Sequence, residues 1–218
     1  MQNSQIHEVV KELKTAVAAW NIPIVTEISR RRRDPFKVLI STVLSLRTKD
    51  ETTAAASHRL YRLAETPERM LELSERQIAE AIYPVGFYRT KAGNILQICR
   101  ELVSRFDGRV PDDLETLLGL KGVGRKTANL VLTLGYGKAG ICVDTHVHRI
   151  SNRLGYVKTK TPEQTEFALR KKLPAEYWII YNDLLVAFGQ NLCKPVSPFC
   201  SRCPVRIFCS RVGVIHSR

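Results

Sequence analysis

The chain has 218 residues, of which 44% are hydrophobic, and 34 Lys and Arg against 21 Asp and Glu give it a net charge of +13. That length and apolar content support one large domain or two small ones with a genuine core, which excludes a disordered chain. The positive surplus draws polyanions; no run of about 18 apolar residues occurs and residues 1–8 are polar, so nucleic acid is favoured over a membrane and an intracellular, cytoplasmic (nucleoid-associated) location without an export signal is expected.

The elements read as helices almost throughout. Arg30, Arg31, Arg32 and Arg33 form an uninterrupted basic run, either a solvated helix end or a phosphate contact. Asp34-Pro35 is a cap with a first-turn proline, opening an apolar helix over 36–46. Ser74 with Gln77, Asp112 with Glu115, and Thr161 with Gln164 fit capping boxes. Helices are therefore expected near 75–83, 89–106, 113–118 and 162–173. No stretch keeps a period of two, so strands are at most incidental and the fold class is all-α. Cys99 and Cys142 stand alone among apolar residues, where small buried side chains are usual.

Three constellations carry chemistry. Cys193, Cys200, Cys203 and Cys209 have a 6–2–5 spacing, and four ligands on short loops can face one point. A reducing compartment favours metal ligation over disulfides there. Cys-x2-Cys is common to zinc and iron–sulfur sites; the long, uneven outer gaps lean toward a cluster wider than one ion, with zinc still open. In Leu120-Lys121-Gly122-Val123-Gly124-Arg125-Lys126-Thr127-Ala128, two glycines join a short helix to an apolar one over 127–134. Such a hairpin lets backbone amides approach a phosphate. Lys126 lies in the first turn of the second helix, where the dipole disfavours an ammonium; it is a nucleophile, a phosphate contact or a side chain pointing into solvent. Asp144, after an apolar run, is an N-cap candidate for a helix through Arg153. If one of its oxygens faced Lys126, the two would make an amine nucleophile with a proton acceptor.

In this order the motifs resemble the endonuclease III family, within the helix–hairpin–helix superfamily of DNA glycosylases. The resemblance covers about 36–209 and rests on the hairpin Gly122-Val123-Gly124-Arg125-Lys126-Thr127-Ala128, on Val143-Asp144-Thr145-His146, and on the cysteine spacing. It implies that Lys126 attacks the sugar C1′ to form a Schiff base, that Asp144 assists, and that the four cysteines carry a 4Fe–4S cluster serving structure and DNA contact. It implies a six-helix barrel domain with the hairpin motif over 28–138, and an iron–sulfur cluster domain from 1–27 and 139–218. Double-stranded DNA with a damaged base or abasic site would lie across the cleft, the damaged nucleotide flipped, against a monomer. Arg47, Val85, Phe87, Lys121, Gly122, Val123, Gly124, Arg125 and His146 are the expected DNA contacts.

An oxidised pyrimidine, a poor stacker, is the expected base. An amine nucleophile leaves an iminium at C1′ that acidifies the C2′ proton, so elimination of the 3′ phosphate can follow base removal. Water as nucleophile could not do this; Lys126 therefore implies lyase activity. A monofunctional mismatch glycosylase of the same fold usually lacks this lysine, and a non-catalytic DNA grip or a zinc-binding structural protein leaves Lys126 and Asp144 without a purpose. Three positions depart from the family pattern. Arg47 stands where glutamine is usual, Lys121 replaces the hairpin proline, and Phe87 replaces an aliphatic wedge. An aromatic there could stack in the duplex.

Overall fold

The computed structural model describes residues 1–20, 23–31 and 33–218, with the backbone alone at 30 and 31. In chain order the α-helices are α1 (Ile6–Val17), α2 (Ile24–Arg31), α3 (Pro35–Ser45), α4 (Asp50–Leu63), α5 (Pro67–Leu71) and α6 (Glu75–Ile82). There follow α7 (Tyr88–Phe106), α8 (Leu114–Gly119), α9 (Arg125–Leu130), α10 (Thr145–Arg153), α11 (Pro162–Lys172) and α12 (Trp178–Asn191). Among the described residues no strand forms, so the fold is all-α. Two compact units result, Ile24–Lys138 and a second that joins Met1–Pro23 to Ala139–Arg218. The boundary expected at 28 falls inside α2, which packs on α3 and α4 of the first unit.

Within Ile24–Lys138, α3 is the core helix. Asp34 caps it through Oδ1, accepting from Phe36 N at 3.0 Å and Lys37 N at 3.1 Å. Val38, Leu39, Ile40 and Leu44 are fully buried, each contributing roughly 1.5–3 kcal/mol. The polar residues that share this interior are satisfied: Thr42 Oγ1 donates to Val38 O at 2.7 Å, and the Ser41 and Tyr61 hydroxyls pair at 2.6 Å. Cys99 is buried here, and burial pushes its thiol up to about 12.

Local capping chemistry explains most helix starts. Ser74 and Gln77 make the reciprocal box that opens α6. At α8 the cap is Asp113, which accepts from Thr116 N at 2.8 Å, a bond that holds its carboxyl below the usual range. Asp112, the expected cap, pairs with Lys138 Nζ at 2.6 Å, because the helix begins one residue later. Thr161 accepts from Gln164 N at 3.2 Å, but Gln164 Oε1 takes the Lys160 amide instead, so that box is half formed. The apolar helix expected over 127–134 starts at Arg125 and widens into a π-helical turn over Val131–Gly135. That turn presses Gly135 on Pro35, where a Cβ would stand 3.0 Å from the Pro35 Cα.

In the other unit the two chain segments share one core. Ile6, Val9, Val10 and Leu13 form the apolar stripe of α1, spaced for one helix face. They meet Val147, Ile150 and Leu154 of the α10 region and Tyr181, Leu185 and Phe188 of α12. Cys193, Cys203 and Cys209 pack against this core, and Cys142 is buried in the same unit.

Candidate functional site

In the first unit α8 ends at Gly119 and the chain turns, Val123 N donating to Leu120 O at 3.0 Å. Gly122 has φ of 85°, the left-handed region that glycine enters without strain. Gly124 is the N-cap of α9, and no side chain caps that end. Lys121, Gly122 and Gly124 are exposed, Arg125 and Lys126 half-buried, and Val123 is turned into the core. The Lys126 amine thus belongs to the first turn of a short helix opened by bare backbone.

Arg47 and Phe87 share the surface of this unit. Their φ values, 54° and 58°, put two non-glycine residues in left-handed backbone, at roughly 1–3 kcal/mol each. Both are exposed, Phe87 by 63%, and the Arg47 guanidinium lies 5.7 Å over the Phe87 ring. Val85, an expected DNA contact, is only 1% exposed and packs inside instead. Arg32 and the side chains of Arg30 and Arg31 lie outside the described residues, while Arg33 is exposed.

In the second unit Asp144 is the N-cap of α10. Its Oδ1 accepts from His146 N at 2.8 Å and Val147 N at 2.9 Å, so the cap leaves Oδ2 unused. His146 is half-buried, its Nδ1 3.2 Å from Arg149 Nη2.

Cys193, Cys200, Cys203 and Cys209 border one cavity, together with apolar residues such as Ile150, Leu154, Phe188 and Phe199. Burial pushes the Cys203 thiol up to about 11 and raises that of Cys209. Among the described residues no three Cys, His, Asp or Glu side chains converge to hold a metal ion. N–H groups reach these sulfurs: Arg153 Nη1 lies 3.5 Å from Cys193 Sγ, Arg211 N lies 3.4 Å from Cys209 Sγ, and the Val205 amide bonds to Cys203.

Residues 40–175 match the HhH-GPD superfamily base excision DNA repair proteins. The chain is 51% identical over 181 residues to endonuclease III of Thermotoga maritima, covering 83% of this chain and 85% of that protein. It is 39% identical over 175 residues to endonuclease III of Escherichia coli, covering 80% and 83%. The solved structure of a trapped endonuclease III–DNA covalent intermediate, an estranged-adenine complex, superposes with a TM-score of 0.86 at 33% identity over 97% of each chain. The chain belongs to the endonuclease III family. A thermostable thymine-DNA glycosylase, 24% identical with a TM-score of 0.82 over 96% of this chain, shares the fold.

Among the described residues, this endonuclease III-family chain also buries two cations that belong to none of its motifs. Lys91 is 6% exposed, and its Nζ donates to Leu44 O at 2.8 Å, Leu46 O at 2.6 Å and Thr48 Oγ1 at 3.3 Å. It satisfies carbonyls left over at the end of α3; desolvation lowers its pKa to about 8. Lys91 shares a helix face with Ile95, Ile98 and Leu102, all buried, and a charge at a core register was the available signal. Arg153, 9% exposed, donates to Lys194 O at 2.7 Å and Pro195 O at 2.6 Å, and Arg149 to Cys193 O at 2.8 Å. The helix capped by Asp144 thus also secures the loop of the first cysteine. Among the described residues no helix is long and apolar enough to cross a membrane.

Proposed function

We propose that this endonuclease III-family protein is a bifunctional DNA glycosylase and AP lyase that uses Lys126 as its nucleophile. The observation that carries this is the half-buried lysine in the first turn of α9, directly after the Gly122–Gly124 hairpin turn. A hairpin of exposed backbone suits the phosphate chain, which would bring a sugar to the amine. The neutral Lys126 amine attacks C1′ as the damaged base leaves with its bonding electrons; loss of a proton from nitrogen and opening of the C1′–O4′ bond then give an iminium. Loss of a C2′ proton from the iminium then expels the 3′ phosphate. Asp144 assists the attack with the carboxylate oxygen that its cap leaves unused.

Lys121, Gly122, Gly124 and Arg125 contact the backbone by charge and amides, with Val123 holding the turn from inside, and His146 is a further DNA contact. Arg47 and Phe87 fill the space left by the flipped nucleotide, where a guanidinium offers donors to the orphan base and an aromatic ring stacks. An oxidised pyrimidine in duplex DNA is the preferred lesion, and the protein acts as a monomer in the cytoplasm, associated with the nucleoid. The domain holding Lys126 is the six-helix barrel, and the unit from both chain segments is the cluster domain.

The four cysteines fit a 4Fe–4S cluster. All-thiolate donors with apolar walls match that group, and its ligands need only border a common space, since the cluster is wider than one ion. Bound there, the cluster supplies a rigid cross-link among loops that hold little other secondary structure. Arg153 and the Arg211 amide direct N–H groups at the sulfurs, and Arg149 steadies the Cys193 backbone.

The test is borohydride trapping on duplex DNA carrying an oxidised pyrimidine. A covalent protein–DNA adduct that vanishes in Lys126→Ala is expected; no adduct with any lesion, or base release without strand cleavage, would reject the lysine mechanism. Iron and acid-labile sulfide in equal amounts, with visible absorbance lost on oxidation, are expected of the cysteines; zinc in their place would reject the cluster.

A further inference from the structure

Arg47 and Phe87 belong to different loops, one following α3 and the other preceding α7. Three contacts join these loops from beneath. Gly86 N donates to Thr48 Oγ1 at 3.2 Å. Gly86 also lies so close to Arg47 that a Cβ would stand 2.7 Å from the Arg47 carbonyl oxygen. The third contact is Lys91, whose amide donates to Phe87 O at 3.0 Å while its Nζ holds Leu44 O, Leu46 O and Thr48 Oγ1. One buried side chain therefore binds the residues on both sides of Arg47 and grows from the first turn after Phe87.

We propose that Lys91 is a positioning residue that sets Arg47 and Phe87 side by side as one preformed wedge for opening the duplex. This rests on the gap-filling role given to Arg47 and Phe87 above. An ammonium suits the position because its three N–H groups match two helix-end carbonyls and a hydroxyl. A planar guanidinium does not present donors in that arrangement. Left-handed backbone at a non-glycine residue persists only where its surroundings impose it, and here it occurs at both wedge residues. Without the Lys91 bonds the two loops lose their common anchor, and the cation–π pair at their tips loses its geometry. The wedge matters when a base must be taken out of a paired stack, and much less when the base is already unpaired.

The inference is tested by single-turnover base release from one lesion in two settings, fully paired duplex and an unpaired bulge. Lys91→Met keeps the length and removes the donors. It is expected to slow release from the paired substrate roughly ten- to hundredfold, with a change of at most about twofold on the bulge. Thr48→Val cuts the link between Lys91 and Gly86 while sparing the helix-end bonds, and should show the same selectivity at smaller size; it carries the test if Lys91→Met fails to fold. Arg47→Ala and Phe87→Ala define the wedge signature, and Lys91→Met combined with Phe87→Ala should lose less than the product of the two single losses. Equal losses on both substrates for Lys91→Met and Thr48→Val would make Lys91 a plain stability residue and overturn the inference. Selective loss in Arg47→Ala and Phe87→Ala but not in Lys91→Met or Thr48→Val would remove Lys91 alone. No selective loss in Arg47→Ala and Phe87→Ala would bring down the wedge reading and this inference with it.

Discussion

Replacing Asp144 separates its cap from the catalytic role proposed for it, because the cap uses one oxygen. Asp144 Oδ1 accepts both the His146 and Val147 amides, at 2.8 and 2.9 Å. An asparagine carbonyl can take both bonds, and Asn and Asp are near-equal N-caps. Asp144→Asn then loses only the favourable charge at a helix N-terminus, about 0.3–1 kcal/mol. Asp144→Ala loses the cap as well, roughly 0.5–2 kcal/mol. At about 2–4 °C per kcal/mol for a chain of this size, the Asn variant should melt within about 4 °C of the parent and above the Ala variant. Turnover should not follow that order. If the carboxylate assists Lys126, both variants lose roughly 10²- to 10⁴-fold in single-turnover base release. Thermal melts beside rate measurements on the same preparations decide the matter. An Asn variant that keeps turnover within about threefold would show that Asp144 is only a cap, and equal melting of the Asn and Ala variants would refute the assignment of the cap to Oδ1.

Other outcomes follow from single contacts. Arg153→Met strips the donors from Lys194 O, Pro195 O and Cys193 Sγ. With roughly 1–3 kcal/mol lost per unsatisfied carbonyl, iron bound per chain should fall, and an unchanged iron content would reject the role of Arg153. Gly86→Ala places a Cβ 2.7 Å from main-chain oxygen that cannot swing away, so a loss of roughly 1–3 kcal/mol is expected from the urea midpoint; an unshifted midpoint would refute the close approach. Burial lowers the pKa of Lys91 from the ordinary 10.5 to about 8. Between those values the unfolded chain binds more protons at this group than the folded one, so its contribution to stability rises with pH. The stability of the parent minus that of Lys91→Met should therefore increase from about pH 7.5 to about pH 10, and a flat difference would contradict the burial of a charged amine.

The sequence by itself determined what depends on neighbours a few residues apart. Ser74 with Gln77, Asp34 before Pro35, and Asp144 before α10 announce helix starts because a cap bonds to amides two or three positions along. The order of hairpin, Lys126, Asp144 and the cysteine spacing was legible for the same reason, and it pointed to the family that most of the chain then matched. Locality also explains the near miss at α8, where the cap falls on Asp113, the neighbour of the expected Asp112, while Asp112 pairs with Lys138. The tertiary structure decided which way side chains face and which distant groups meet. Val85 stands two residues from an exposed Phe87 yet lies in the core. Lys91 finds its acceptor Leu44 O 47 residues away, and Arg153 finds Lys194 O 41 residues away. A buried cation is tolerated only where the fold gathers acceptors around it, and most of those acceptors are main-chain carbonyls, which carry no residue identity for a motif to display.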